Sequence, residues 1–339
     1  MAAAPEGPTA SRGDVADHGR DGSARARDDV AKKSGWFATL KRTATEFRDD
    51  NLTDWAAALT YYGLLSLFPA LLAMVSLVGI FGDPKSTTDK ITEIVTSLGP
   101  SSSAQTFAGP IESITSNRGA AGLTLILGLG TALWSASGYI GAFMRASNVI
   151  YETPEGRPFW KLRPLQLLVT LVMIVLIALV ALGLVLTGPI VEAVAEPIGV
   201  SGAAITVWNI AKWPVLAAAF VTMLSLLYYA SPNVRLRGFK WVTPGSLVAL
   251  VVWVLASAAF ALYVANFGSY DKTYGTLGGL IALLVWFWIT NLAILFGHQL
   301  NAERERSIEI EEGRPGAESD LQLEPRSEPD EPQTRGGQP

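Results

Sequence analysis

Residues 165–187 read LQLLVTLVMIVLIALVALGLVLT, 23 positions without a charged side chain. A helix rises about 1.5 Å per residue, so such a run is long enough for the ~30 Å of hydrocarbon in a bilayer. Working outward, five further stretches qualify: 55–82, 119–144, 203–230, 244–267 and 277–300. The expectation is an all-α, polytopic integral membrane protein with six transmembrane helices.

Charge distribution supports this. Of the 56 acidic and basic side chains in 339 residues, 19 lie in 1–54 and 16 in 303–339, leaving 21 for the 248 residues between. A soluble domain of that size carries charge over its whole surface. Lys and Arg also set the orientation. With the N-terminus inside, the inner segments carry Lys32, Lys33, Lys41, Arg42, Arg48, Arg145, Arg157, Lys161, Arg163, Arg235, Arg237, Lys240, Arg304 and Arg306. The outer ones carry Lys85, Lys90, Arg118 and Lys272, with Lys212 at a boundary. The bias predicts N-in, C-in topology.

Residues 1–34 and 304–339 read as cytoplasmic tails, disordered and, at the C-terminus, acidic, because neither shows apolar periodicity that would offset the entropy of ordering. The first contains no apolar core of a signal peptide. Between them, 35–303 forms the membrane domain. Residues 35–52 (GWFATLKRTATEFRDDNL) place Trp36, Phe37, Leu40 and Phe47 on one face, the pattern of a helix lying on the inner leaflet or of a soluble linker helix. The long outer loop, 83–118, has helical spacing at Ile91, Ile94, Val95 and Leu98 and is read as one or two short interfacial helices.

Several of these segments carry a family resemblance. ALTYYGLLSLFP (58–69) resembles the first-helix signature of the YihY/BrkB family of bacterial inner-membrane proteins. LWSASGYIGAFMRASNVIYE (133–152), the Pro232–Asn233 turn, the Pro244–Gly245 opening of the fifth helix and YGTLGGLIALLVWFWITNLAILFGHQLNAE (274–303) follow in the family's order, so the likeness spans roughly 36–303. It implies a multi-pass protein of the bacterial cell membrane. The family has long carried the label ribonuclease BN, and some members are linked to virulence or serum resistance; no catalytic residues come with the resemblance. This chain departs from it at Gly297-His298-Gln299-Leu300-Asn301, where the family usually has Gly-Ala-Glu-Leu-Asn. An amide replaces the carboxylate, so a proton-coupled role for that position does not carry over.

The composition argues against several chemistries. With no cysteine and only His18 and His298, thiolate sites and histidine-rich metal centres are excluded. RNA hydrolysis needs clustered metal ligands or a paired acid and base, and no predicted span holds a carboxylate. A net charge of −4 offers no field for nucleic acid. No phosphate-binding loop or nucleotide motor is present. No enzyme activity, metal or cofactor is therefore expected.

Candidate functional residues are the polar ones at membrane depth. Asn291 and His298 are seven apart on one helix face, and Tyr62 and Ser66 lie a turn from Pro69. Together these four are expected to line an internal cavity opening to the cytoplasm, where His298 titrates near neutral pH; the alternative is that each makes an interhelical hydrogen bond. Pro69 and Pro214 are expected to kink or break their helices. Arg145 and Asn148 end the second helix on roughly one face, as headgroup anchors or substrate contacts. Lys212 is either a functional intramembrane ion or part of an outer interfacial belt with Trp208 and Trp213, the fourth helix then starting near 213. The Gly275/Gly279 spacing suggests close helix packing. The leading expectation is a protein that transports or handles a lipid-like or small amphiphilic substrate, with membrane lipids as partners. The alternative is a non-transporting scaffold for envelope partners, which would be packed shut where a transporter has a polar cavity. Nothing in the sequence sets the oligomeric state.

Overall fold

The computed structural model describes residues 30, 33–81, 118–185, 202–266 and 276–329. Nearly all of the outer loop and its expected interfacial helices, residues 1–29, and residues 330–339 lie outside them. The described chain forms seven helices: α1 (Trp36–Asp49), α2 (Leu52–Phe81), α3 (Arg118–Ile150), α4 (Phe159–Val185), α5 (Gly202–Ala230), α6 (Pro244–Asn266) and α7 (Thr276–Glu311). Four stretches among the described residues, 159–180, 205–230, 244–265 and 278–311, are long and apolar enough to cross a membrane.

The long helices close a ring. α2 packs on α3 and α7, α3 on α4, α4 on α5, α5 on α6, and α6 on α7. Across the ring α3 also touches α7. Apolar side chains face outward along much of its length, with Leu168, Leu179, Val207, Ile210, Leu255 and Leu262 all more than half exposed. In a membrane that surface meets lipid rather than water, which removes the usual penalty for exposing it. The tightest crossing joins α6 to α7. A Cβ on Gly245 would lie 1.9 Å from the carbonyl oxygen of Gly297, and one on Gly297 would lie 2.3 Å from that of Gly245. Glycine at both positions lets the backbones meet. Of the expected Gly275/Gly279 contact, Gly275 lies outside the described residues, and among those described nothing lies within 4 Å of where a Cβ on Gly279 would be.

Neither proline breaks its helix. α2 runs through Pro69 and α5 through Pro214, since losing one donor leaves the neighbouring turns bonded. α4 starts at Phe159, six residues before the expected boundary, and accommodates Pro164 near its start. α1 docks through its threonines and Phe47, whose ring lies 5.8 Å from that of Phe296, and not through its first aromatics. Thr39 and Thr43 are buried, Thr39 Oγ1 lies 2.7 Å from Ser307 Oγ, and Trp36 and Phe37 remain outside, 49% and 83% exposed.

The C-terminal boundary expected at residue 303 does not hold. α7 continues to Glu311, and its charged last turns are inward-facing, with Glu303, Arg306 and Glu309 buried. Charge there marks an internal ion network, not a solvated tail. Gly313, at φ +70°, turns the chain out of the helix. Residues 314–329 then cross the charged end of the bundle as a strap. Leu321 and Leu323 pack on the core, and the Leu321 amide donates to Glu152 at 2.9 Å. Arg326 donates to the carbonyls of Val234 at 2.8 Å and Tyr229 at 2.7 Å. Asn233 joins the strap at Ser327 through both its amide atoms. The strap backbone lies against Gly156, where a Cβ would come within 2.1 Å of the Ser327 oxygen. These contacts tie α7, the α3–α4 loop and the α5–α6 loop together.

Candidate functional site

The α5–α6 connection, SPNVRLRGFKWVT (231–243), is held at both ends. At the start, the Asn233 amide donates to Asn148 Oδ1 at 2.8 Å, and Asn148 Nδ2 donates to Glu155 at 2.9 Å. At the finish, Thr243 and Ser246 cap α6 reciprocally: each backbone amide donates to the other's hydroxyl, at 3.0 and 3.1 Å. Asn301 of α7 braces this cap, accepting from the Gly245 amide at 2.9 Å and donating to Thr243 Oγ1 at 3.0 Å. Ser225 of α5 donates to Ser246 Oγ at 3.0 Å.

Beneath that loop lies a cavity of about 170 Å³ between α5, the start of α6 and α7. Tyr228, Tyr229, Leu236 and Ile308 supply apolar surface, and Arg237, Lys240, Arg304 and Glu305 supply charge. Arg237 is clamped to Glu312 by two bonds, 2.5 and 2.8 Å, and reaches Glu305 at 3.2 Å. That pairing holds the Glu312 carboxyl below its ordinary range. Arg304 lies 3.7 Å from Glu311, while Lys240 is bonded to no carboxylate among the described residues. Next to the cavity, Trp241 and Val242 are 68% and 53% exposed.

The four residues expected to share a cavity do not line this one. Asn291 accepts from the Tyr139 hydroxyl at 2.8 Å and donates to Thr60 at 3.2 Å, tying α7 to α3 and α2. Ser66 donates to the Tyr62 carbonyl at 2.8 Å and lies 3.4 Å from that of Ser135. Tyr62 packs its ring over Gly138, with the Arg145 guanidinium 5.8 Å from the ring centroid. His298 is fully buried, its Nε2 2.9 Å from Ser147 Oγ and its ring stacked 4.6 Å from Tyr228 and 5.5 Å from Phe143. Solvent does not reach it, so it lines no cavity that opens to the surface. Asn291 and Ser66 reach neighbouring helices through hydrogen bonds, Tyr62 meets Arg145 through its ring, and His298 bonds Ser147 through Nε2 while its buried Nδ1 has no hydrogen-bond partner among the described residues. Asn148 clamps the loops as above. Lys212 is 7% exposed and donates to Asn209 at 3.2 Å, its ammonium 5.6 Å from the Trp213 ring. α5 begins at Gly202, so Lys212 sits ten residues inside the helix, which does not start near 213.

The cavity's own cations entered the sequence reading only as markers of orientation. Their signal was the spacing of Arg235, Arg237 and Lys240 between two proline turns.

A second charged cluster joins α1, the α3–α4 loop and α7. Arg42 donates to Glu303 at 2.8 Å and to Ser307 at 2.7 Å, and Arg306 pairs with Glu152 and Glu303. Asp50, at the α1–α2 junction, faces Glu46, Glu152, Asp49 and Glu303. Burial, reinforced by those carboxylates, pushes its pKa up to about 7. A raised carboxyl pKa gives stability that is complete below the unfolded value near 4 and is lost as pH rises through 7. Stability in detergent, and the unfolding midpoint with it, should therefore fall between pH 5 and 7, by about 1 kcal/mol once ~1.4 kcal/mol per unit is discounted for solvent screening of the half-buried carboxyl. Asp50→Asn should flatten that decline and melt above wild type at pH 8. Parallel pH profiles for the two proteins would remove the assignment.

Among the described residues no group of three or more His, Asp and Glu side chains is placed to hold a metal ion. The family profile described as Virulence factor BrkB matches residues 43–321. YfkH of Bacillus subtilis (strain 168), whose name includes the words ribonuclease-like, is 33% identical over 247 residues, covering 73% of this chain and 88% of its own. A UPF0761 membrane protein of Aeromonas salmonicida (strain A449) is 25% identical over 76% of this chain and 86% of its own. Another, from Pseudoalteromonas translucida (strain TAC 125), is 28% identical over 75% and 81%. No solved structure matches the chain. The profile covers most of the sequence and the relatives are similar over most of their lengths, so this chain, a multi-pass helical membrane protein, belongs to the BrkB family.

Proposed function

We propose that the protein crosses the membrane six times with both ends inside the cell, and that its inner-end cavity holds the polar end of a small amphiphilic, lipid-like substrate. The cavity carries this reading. At about 170 Å³ it is smaller than the ~300–1,000 Å³ of a pocket that encloses a whole drug-sized ligand. It suits a head and leaves a tail outside. The adjoining face of α6 offers the tail a stripe: Leu247, Val251, Val254 and Leu255 are all 48–65% exposed and lie at i, i+4, i+7 and i+8. Trp241 sits beside the cavity as an interfacial anchor.

The engagement of Asn291, Ser66 and His298 by neighbouring helices favours handling at the inner leaflet over a continuous path through the ring. It also supports the second reading, a scaffold, in which the cavity holds nothing. The ribonuclease-like wording of one relative's name is not carried over, because the two histidines are His18, in the N-terminal tail, and His298, enclosed by aromatic rings. RNA hydrolysis would need a paired acid and base or a metal-holding cluster.

The cavity is tested by what leaves the membrane with the full chain and whether Ile308→Trp expels it. The topology has its own test. The chain has no cysteine, so single cysteines report cleanly. Ser102→Cys should react with an impermeant thiol reagent on intact cells, and Ser319→Cys only after permeabilisation. Reaction of Ser319→Cys on intact cells would invert or break the proposed topology.

A further inference from the structure

We infer that the polar end taken by this cavity is a phosphate-bearing headgroup, recognised as an oxyanion by Lys240 and Arg304. This rests on the proposal that the cavity holds an amphiphile and names that ligand's chemistry. The lining carries three cations against one carboxylate, Glu305. Glu305 is already neutralised, because Arg237 lies 3.2 Å from it. Arg237 also spends its paired donors on Glu312, which is fixed at the foot of the strap. That leaves Lys240, bonded to no carboxylate among the described residues, and Arg304, held from Glu311 at a loose 3.7 Å. Two cations lining a partly closed, aromatic-walled space form a site for a compact anion. A neutral headgroup would leave Lys240 facing only Glu305, which Arg237 already holds, and Arg304 only the loose contact to Glu311.

The polar part of the wall adds no competing charge, and its hydroxyl protons are engaged within the α6 cap. Thr243, Ser225 and Asn301 are locked in the α6 cap, so the rim is preformed and no segment need reorder to bind. The exposed Trp241 and Val242 at the same level, and the apolar stripe of α6 beyond, favour a lipid over soluble phosphate as the source.

The test uses the full-length protein in detergent, titrated with dioctanoyl phosphatidic acid, dioctanoylglycerol and inorganic phosphate, with binding read from thermal stabilisation. The two lipids differ only by the phosphate. Phosphatidic acid should bind at least about tenfold more tightly than dioctanoylglycerol, and Lys240→Gln with Arg304→Gln should erase the difference. Inorganic phosphate matching phosphatidic acid would support the oxyanion site and make soluble phosphate its source. Equal binding of both lipids, each lost in Ile308→Trp, would overturn the phosphate inference and leave the amphiphile reading standing. If neither lipid nor phosphate binds, both fall. Should the double variant elute as misfolded protein, Lys240→Gln alone, a change at an exposed loop position, decides the same point.

Discussion

Ending the chain at Glu311 should lower the unfolding midpoint in detergent by about 10 °C, at a few degrees per kcal/mol for a chain of this length. Removal of the strap strands several groups in the interior. Glu309, fully buried, loses Arg314 and the Gln322 amide. Asn233, also fully buried, loses its bonds to Ser327 and Arg326. Arg306 loses the Ser319 carbonyl at 2.8 Å. A buried polar group left unsatisfied costs about 1–3 kcal/mol. Three such groups, with the core contacts of Leu321 and Leu323 removed as well, amount to roughly 5 kcal/mol. Removing only 330–339 is the control and should change the midpoint little. If truncation after Glu311 melts with the full chain, the strap is not part of the folded core.

The six long helices were legible because a long apolar run is a strong signal, and each expected span overlaps one helix, with bounds that differ by a few residues at most ends. The larger differences share a cause. The start of α4 and the end of α7 lie where helix continues past the apolar run, and hydropathy carries no signal there. In 301–311 the run NAERERSIEIE reads as a polar tail by composition, yet its charges point at Arg42, Glu152 and Arg314. Only the partners, 5 to 261 residues away, reveal that. The strap was missed for a similar reason. It is held by backbone amides and carbonyls, which every sequence has, and by two leucines too few to make a pattern.

The candidate site was less legible. Asn291, His298, Tyr62 and Ser66 were singled out because polar groups at membrane depth need a partner or water, and that much stands. Helical spacing does not tell which of the two they find. In the fold the partners are other helices: Thr60 and Tyr139 for Asn291, Ser147 for His298. The cavity instead gathers Tyr228 from α5, Lys240 from the connecting loop and Arg304 from α7. Only the α6–α7 approach at Gly245 and Gly297, and the ring it helps to close, brings these together.

The most direct measurement of the central claim is the mass of what stays bound when the purified full-length protein is released from detergent in the gas phase. Ile308 faces the cavity and is half-buried, so Trp there fills the space with a ring while the helix surface around it stays intact. Ile308→Leu conserves volume and serves as the matched control. Wild type and Ile308→Leu should each retain a small amphiphilic molecule at about one per chain, a ratio set by a single site. Ile308→Trp, folded and melting like wild type, should retain almost none. Wild-type protein leaving the detergent bare, or Ile308→Trp carrying as much bound molecule as wild type, would contradict a cavity that holds an amphiphile.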